Sequence, residues 1–162
     1  MIIARVPSGK LPDALVAHLR RVADEDAEER FTPDGVDWDS VAKRYHAGSR
    51  RAVGDYGWAR VWVATTSGGL VVGHASLVGL PNEMSICNGH ISVERPYRGG
   101  DLAKRLNIAR FAWLDKRRMA ITGPVAPGNE RSMRGCLRAG FVPTYKCPET
   151  GAIWVTRYPS EV

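Results

Sequence analysis

Apolar residues recur along this chain with two periods, every second residue in some segments and every third or fourth in others, and the switches between them mark its elements. The β-rich run Ile2 to Val6 reads as a strand. Leu15, Leu19 and Val22 then sit at helical spacing within a segment from Pro12 to about Glu29. Charges crowd the end of this helix, Pro33 and Gly35 break the chain, and a second short helix is expected from Asp37 to Tyr45. Beyond a loop marked by Gly48, Gly54 and Gly57 come three strand-like runs, Ala59 to Thr66, Leu70 to Leu77 and about Met84 to Val93. The first two are joined through Ser67-Gly68-Gly69, a hairpin-type turn, so an antiparallel meander is expected. Leu102, Leu106, Ala109 and Trp113 outline one buried face of a helix ending near Arg118, with Lys104, Arg105, Arg110 and Lys116 on its other face. A strand from Ala120 to Val125, a short helix from Asn129 to Arg138, and strands over Phe141 to Cys147 and Ala152 to Tyr158 complete the order β, α, α, β, β, β, α, β, α, β, β. No repeat or linker interrupts it, and residues 1–162 are expected to form one domain.

Composition narrows the class. With 162 residues, 44% hydrophobic and 25% charged, the chain is an ordinary packed protein rather than a disordered or low-complexity one. Cys87, Cys136 and Cys147 are too few for a disulfide framework and have no Cys-x-x-Cys spacing, which points to a reduced, cytoplasmic setting without a structural zinc site. Cys87 and His90, three apart on a strand, face opposite sides and are rejected as a metal pair. No run approaches a membrane span. The net charge of +6 is uneven: residues 1–45 hold 7 basic and 9 acidic side chains, and the remainder 16 and 8. That basic C-terminal two thirds raises the local concentration of anions and makes nucleic acid, an acidic protein or a phosphorylated cofactor a candidate partner.

The chemically informative segment is ISVERPYRGGDLAKRL, in which a strand runs through Arg98-Gly99-Gly100-Asp101 directly into a helix. Backbone N–H groups at a helix N-terminus, approachable because glycine lacks Cβ, form a seat for a pyrophosphate. Arg98-Gly-Gly-Asp-Leu-Ala, preceded by Val93 and Tyr97, resembles the Gln/Arg-x-x-Gly-x-Gly/Ala signature of the GCN5-related N-acetyltransferases (GNAT family). Val125-x-x-x-Asn129, Ser132 and Gly140-Phe141 are similar to that family's second signature. The resemblance covers about residues 59–145 and implies an α/β fold, a mixed, mostly antiparallel central sheet flanked by helices. No Walker phosphate loop or dinucleotide fingerprint is present.

The resemblance further implies an acetyl-CoA-dependent N-acetyltransferase acting on an amine, small or protein-borne, as a monomer or homodimer. The backbone of Ile91, Ser92 and Val93 would hold the pantetheine arm of coenzyme A. The amides of Arg98, Gly99, Gly100, Asp101, Leu102 and Ala103 would hold the pyrophosphate, and Asn129 would bond the arm or cap its own helix. Two departures from the pattern stand out. Asp101 replaces the usual Gly, combining a favoured helix N-cap with an anion beside the expected phosphates. Cys136 replaces the Tyr that commonly protonates the departing thiolate, with Tyr145 as a substitute. The base that deprotonates the amine is expected to be His90, on the cofactor strand with Ser92 and Glu94 on the same face, and His74 is the second candidate. Glu94 reads as a surface residue, and the acidic run Asp24 to Glu29 as a solvated helix end able to attract a cationic amine. The alternative function is a catalytically degenerate acyl-CoA-binding module whose basic face holds nucleic acid or an acidic protein.

Overall fold

The computed structural model describes residues 1–9, 11–29 and 38–161. Strand β1 (Ile2–Arg5) is followed by helices α1 (Asp13–Glu29) and α2 (Trp38–Ser49), then by strands β2 (Ala59–Thr65), β3 (Val71–Gly79) and β4 (Ile86–Val93). A single 3-10 turn at Arg95–Tyr97 leads into α3 (Leu102–Asp115), and β5 (Ala120–Val125), α4 (Glu130–Arg138), β6 (Val142–Lys146) and β7 (Ile153–Arg157) complete the chain. The seven strands form one sheet in the order β1-β2-β3-β4-β5-β7-β6. The meander β2-β3-β4 is antiparallel as expected, and β4 with β5 is the parallel pair that makes the sheet mixed.

Strand β2 shows how the core is divided. Its alternate residues Ala59, Val61 and Val63 pack with Leu15, Leu19, Val41 and Tyr45 of α1 and α2, whereas Trp62 and Ala64 pack with Leu102, Leu106 and Leu114 of α3. A strand buried on both faces carries apolar residues continuously, as Val61 to Ala64 does. Met133 and Cys136 of α4, with Ala139 at its C-cap, join the α3 side. Strand β7 is tied to the last turn of α3 by a two-pronged bond from Arg157 to Asp115, at 2.8 and 3.0 Å, and the Arg157 guanidinium also lies 4.1 Å from the centre of the Phe111 ring.

Three expectations are corrected. Helix α2 runs to Ser49 rather than Tyr45, because Gly48 is helical and seats the helix end against β2 where a Cβ would strike Gly57 O and the Ala59 side chain. Strand β3 continues to Gly79, whose missing Cβ leaves room for the Trp58 indole. Arg110, assigned to the exposed basic face of α3, is 2% exposed. It sits in line with Leu102 and Leu106 at i+8 and i+4, and Gly89 opposite provides the space it fills. The chain break at Pro33 and Gly35 lies outside the described residues. No described helix is long and apolar enough to cross a membrane.

Gly89→Ala tests this packing. The added Cβ would lie 2.5 Å from the Ile121 side chain, 2.6 Å from Ser76 O and 3.0 Å from the Arg110 guanidinium. Overpacking of this kind destabilises by about 1–3 kcal/mol, so denaturant unfolding should show a loss in that range, against no measurable change for Gly100→Ala, whose Cβ would meet open space.

Candidate active site

Strands β4 and β5 pair only over Ile86, Cys87 and Asn88 against Ala120, Ile121 and Thr122. Beyond that point they part, so Gly89 to Val93 keeps β3 on one side and has no described strand on the other. The gap leads to the glycine turn. Gly99 takes φ +84°, a backbone favoured by residues without Cβ, and a Cβ on either Gly99 or Gly100 would meet open space. The first helical bond of α3 runs from Arg105 N–H to Asp101 O at 2.9 Å, leaving the amides of Asp101, Leu102, Ala103 and Lys104 without a helical acceptor. Glu25 of α1 steadies this turn, accepting from the Arg95 amide at 2.9 Å and from the Arg98 guanidinium at 3.2 Å, while Arg98 Nε donates to Val93 O at 2.8 Å. Glu25 therefore turns inward, which corrects the solvated reading at that residue, while Asp24 is exposed; the side chains of 26–29 lie outside the described residues.

Facing α1 and α2, the sheet carries a row of histidines. His90 Nδ1 lies 3.2 Å from His74 Nε2, His74 Nδ1 lies 2.9 Å from His18 Nε2, and His18 Nδ1 lies 2.7 Å from Glu94 Oε2. Glu94, expected at the surface, is 6% exposed and bonded to Arg21 of α1 at 2.6 and 3.1 Å. Its misreading has a local cause: strand alternation ends at Val93, and Arg21 reaches over from 73 positions earlier in the chain. Burial raises the carboxyl's pKa, but the bonds from Arg21 and His18 outweigh it and hold Glu94 below its ordinary value, as a carboxylate.

That carboxylate sets the direction of the row. It can only accept, so His18 carries its proton on Nδ1; His18 Nε2 then accepts from His74 Nδ1, and His74 Nε2 from His90 Nδ1. The lone pair of His90 falls on Nε2. The scheme requires all three rings neutral, and the surroundings favour this. Burial lowers the pKa of His18, more than Glu94 raises it; burial and then the His90, His18 and Arg110 charges lower that of His74 further. For His90, burial followed by Arg110 brings the pKa down to about 4. His90 is nonetheless solvent-accessible.

Arg110 supports the row from the opposite face. Its Nη1 donates to Ser76 O and His90 O, both at 3.2 Å, and its Nη2 to Asn107 Oδ1 at 2.5 Å, while Nε has no partner among the described residues. Burial lowers its pKa to about 10, still well above neutrality, so a cation sits beneath the histidines. Ser76 Oγ accepts the His90 amide at 3.2 Å and bonds the buried Tyr45 hydroxyl at 2.9 Å, fixing the His90 backbone independently.

No family model matches this sequence, and no curated protein sequence matches it. Solved structures do. The GNAT domain of S. lividans PAT superposes with a TM-score of 0.74 at 16% identity, covering 96% of this chain and 89% of that one. Ribosomal-protein-alanine N-acetyltransferase from Brucella melitensis gives 0.75 at 18%, covering 98% and 99%. yncA from Salmonella typhimurium, solved with its cofactor acetyl-CoA, gives 0.73 at 17%, covering 99% and 95%. The fold is the GNAT fold.

On that fold the remaining expected residues take definite places. Ile91, Ser92 and Val93 lie on the stretch of β4 that pairs with β3 but not with β5. Asp101 stands at the N-cap position of α3, but its side chain caps nothing, which corrects its expected capping role. Asn129 does cap α4, accepting the Ser132 amide at 3.2 Å. Cys136 is half-buried against the α3 side of the core; burial raises its pKa more than Ser132 and Arg110 lower it, which keeps it a thiol. Tyr145 is an exposed residue of β6, at the far edge of the sheet from β4. No group of three metal-ligating side chains occurs among the described residues. His18 was missed because nothing near it in sequence distinguishes it from an ordinary helical residue.

The neutral histidines predict a pH dependence of stability. His74 and His18, with pKa values lowered by folding, oppose protonation of the native state. Stability is therefore full above the ordinary histidine value of 6.5 and is lost as pH falls below it. The melting temperature should drop between pH 7 and 5, and should drop less in His74→Phe; an equal drop in that variant would show that His74 does not contribute.

Proposed function

We propose that the protein transfers an acetyl group from acetyl-CoA to an amine. The observation that carries the reading is the row Glu94-His18-His74-His90, which ends at the gap between β4 and β5 beside an anion seat. The residues fit the cofactor. Amides at the start of α3 and the open space at Gly99 and Gly100 suit a pyrophosphate, each charge-assisted bond contributing about 1.5–3 kcal/mol. The free edge of β4 at Ile91 to Val93 suits an amide-bearing arm. When bound, acetyl-CoA supplies an acetyl group activated as a thioester.

The chain's own part is proton handling. An amine attacks a carbonyl only after losing its extra proton, and His90 Nε2 holds the lone pair that accepts it. As that proton arrives, the Nδ1 proton of His90 strengthens its bond to His74, and the charge is shared through His18 towards the Glu94 carboxylate, as an acid orients and supports the histidine of a hydrolytic triad. Arg110 disfavours storage of the positive charge on the row, so the proton returns to solvent between turnovers. Cys136, kept as a thiol by its burial, is the proposed proton donor to the leaving sulfur. The acceptor is an amine that reaches His90 from the side of α1 and α2.

Two outcomes test this reading. Gly100→Glu fills the anion seat with bulk and negative charge, and calorimetry should show acetyl-CoA affinity reduced at least about 100-fold, equivalent to two such bonds, with a native circular-dichroism spectrum; unchanged affinity would remove the assignment. His90→Ala should lower kcat by about 10²- to 10⁴-fold, with the Kd for acetyl-CoA within a few-fold and the acidic limb of the rate profile gone. A retained rate and profile would place the base elsewhere.

A further inference from the structure

At the other end of α3 from the glycine turn, roughly 20 Å away at 1.5 Å per helical residue, the surface holds a second basic concavity. Its volume is about 480 Å³, and it is lined by Arg5 of β1, Arg50 and Arg51 at the exit of α2, Arg60 of β2, and Trp113 and Arg117 of α3 and its end. No Asp or Glu lines it. Three of the guanidiniums are held in place by backbone oxygens. Arg51 donates to Tyr56 O at 2.6 Å, Arg60 to Ala59 O at 2.7 Å and Arg51 O at 3.0 Å, and Arg117 to Trp113 O at 3.2 Å while lying 3.8 Å from the centre of the Trp113 ring. Among the described residues none of the five meets a carboxylate.

Five cations brought together from four segments, with no counter-charge supplied by the protein, repel one another. Burial and then the charges of Arg5 and Arg117 accordingly lower the pKa of Arg60. A solvated basic face would spread such side chains; here the fold converges them on a concave, partly enclosed volume much larger than one phosphate. Guanidinium forks match phosphate oxygens in pairs, and several forks around one volume suit several linked phosphates.

We propose that this cleft binds a small anion carrying two or more linked phosphates, separately from the glycine turn. Calorimetry of the full chain with inorganic triphosphate tests it. Arg5→Gln with Arg50→Gln removes two cleft charges whose side chains make no bond to the described protein, so the fold is kept; triphosphate Kd should weaken at least tenfold. Gly100→Glu, which disables the turn, should leave that Kd within twofold, and monophosphate should bind the unmodified chain at least tenfold more weakly than triphosphate. An unchanged Kd in the double variant, or loss of binding in Gly100→Glu, would overturn the proposal. So would tighter binding of a 12-nucleotide single strand that displaces triphosphate, which would make the cleft a nucleic-acid surface.

Discussion

The carboxylate of Glu94 is the constraint on which the site depends. It lies just past β4, with its own amide bonded to Val72 O at 2.9 Å, and it receives Arg21 and His18 of α1. One residue thus joins the first helix to the centre of the sheet at the point where the chain leaves for the glycine turn. Because an ionised carboxylate has no proton to give, its position decides which nitrogen of each histidine carries one. Two buried imidazoles that would otherwise be interchangeable in tautomer become a row with a direction, ending at the accessible His90.

Charge acts on that row from both sides of the sheet. Glu94 with Arg21 forms a neutral pair at one end, and Arg110 lies beneath His90 as a buried cation that meets no carboxylate among the described residues. Burying a guanidinium is unfavourable unless its donors are satisfied, and here two backbone oxygens and Asn107 satisfy most of them. The arrangement depends on Gly89, where a side chain would displace the guanidinium, and the cation adds to the burial that keeps His74 and His90 neutral. Fold and chemistry are linked here, since the core arginine that packs α3 on the sheet also shapes the acid-base behaviour of the opposite face.

Features of the sequence that are local were legible, and those made by distant convergence were not. The element order follows from periodicity, β5 from Ala120 to Val125 matches its expected bounds, and the glycine turn opening α3 could be read because strand, glycines and helix start are contiguous. Asn129 declared its capping role through its place before an amphipathic helix. Arg110 was assigned to the wrong face because an arginine in a helix is ordinarily solvated and nothing local reports the missing side chain of Gly89, 21 positions earlier. His18 and Glu94 escaped for a related reason: their arrangement depends on residues 18, 74, 90 and 94 meeting across three elements, and no spacing along the chain encodes that. The five-arginine cleft was visible only as an excess of positive charge after residue 45.

The central claim concerns where three protons sit, and nitrogen NMR of the histidine side chains measures that directly. In protein labelled with 15N at the imidazoles and held at pH 7, His18, His74 and His90 should each show a neutral ring protonated at Nδ1, with an unprotonated Nε2. Replacing Glu94 with Gln should release that pattern at all three. A charged ring at His74, or His90 protonated at Nε2 in the unmodified chain, would contradict the account, because the row would then have no lone pair to offer an amine.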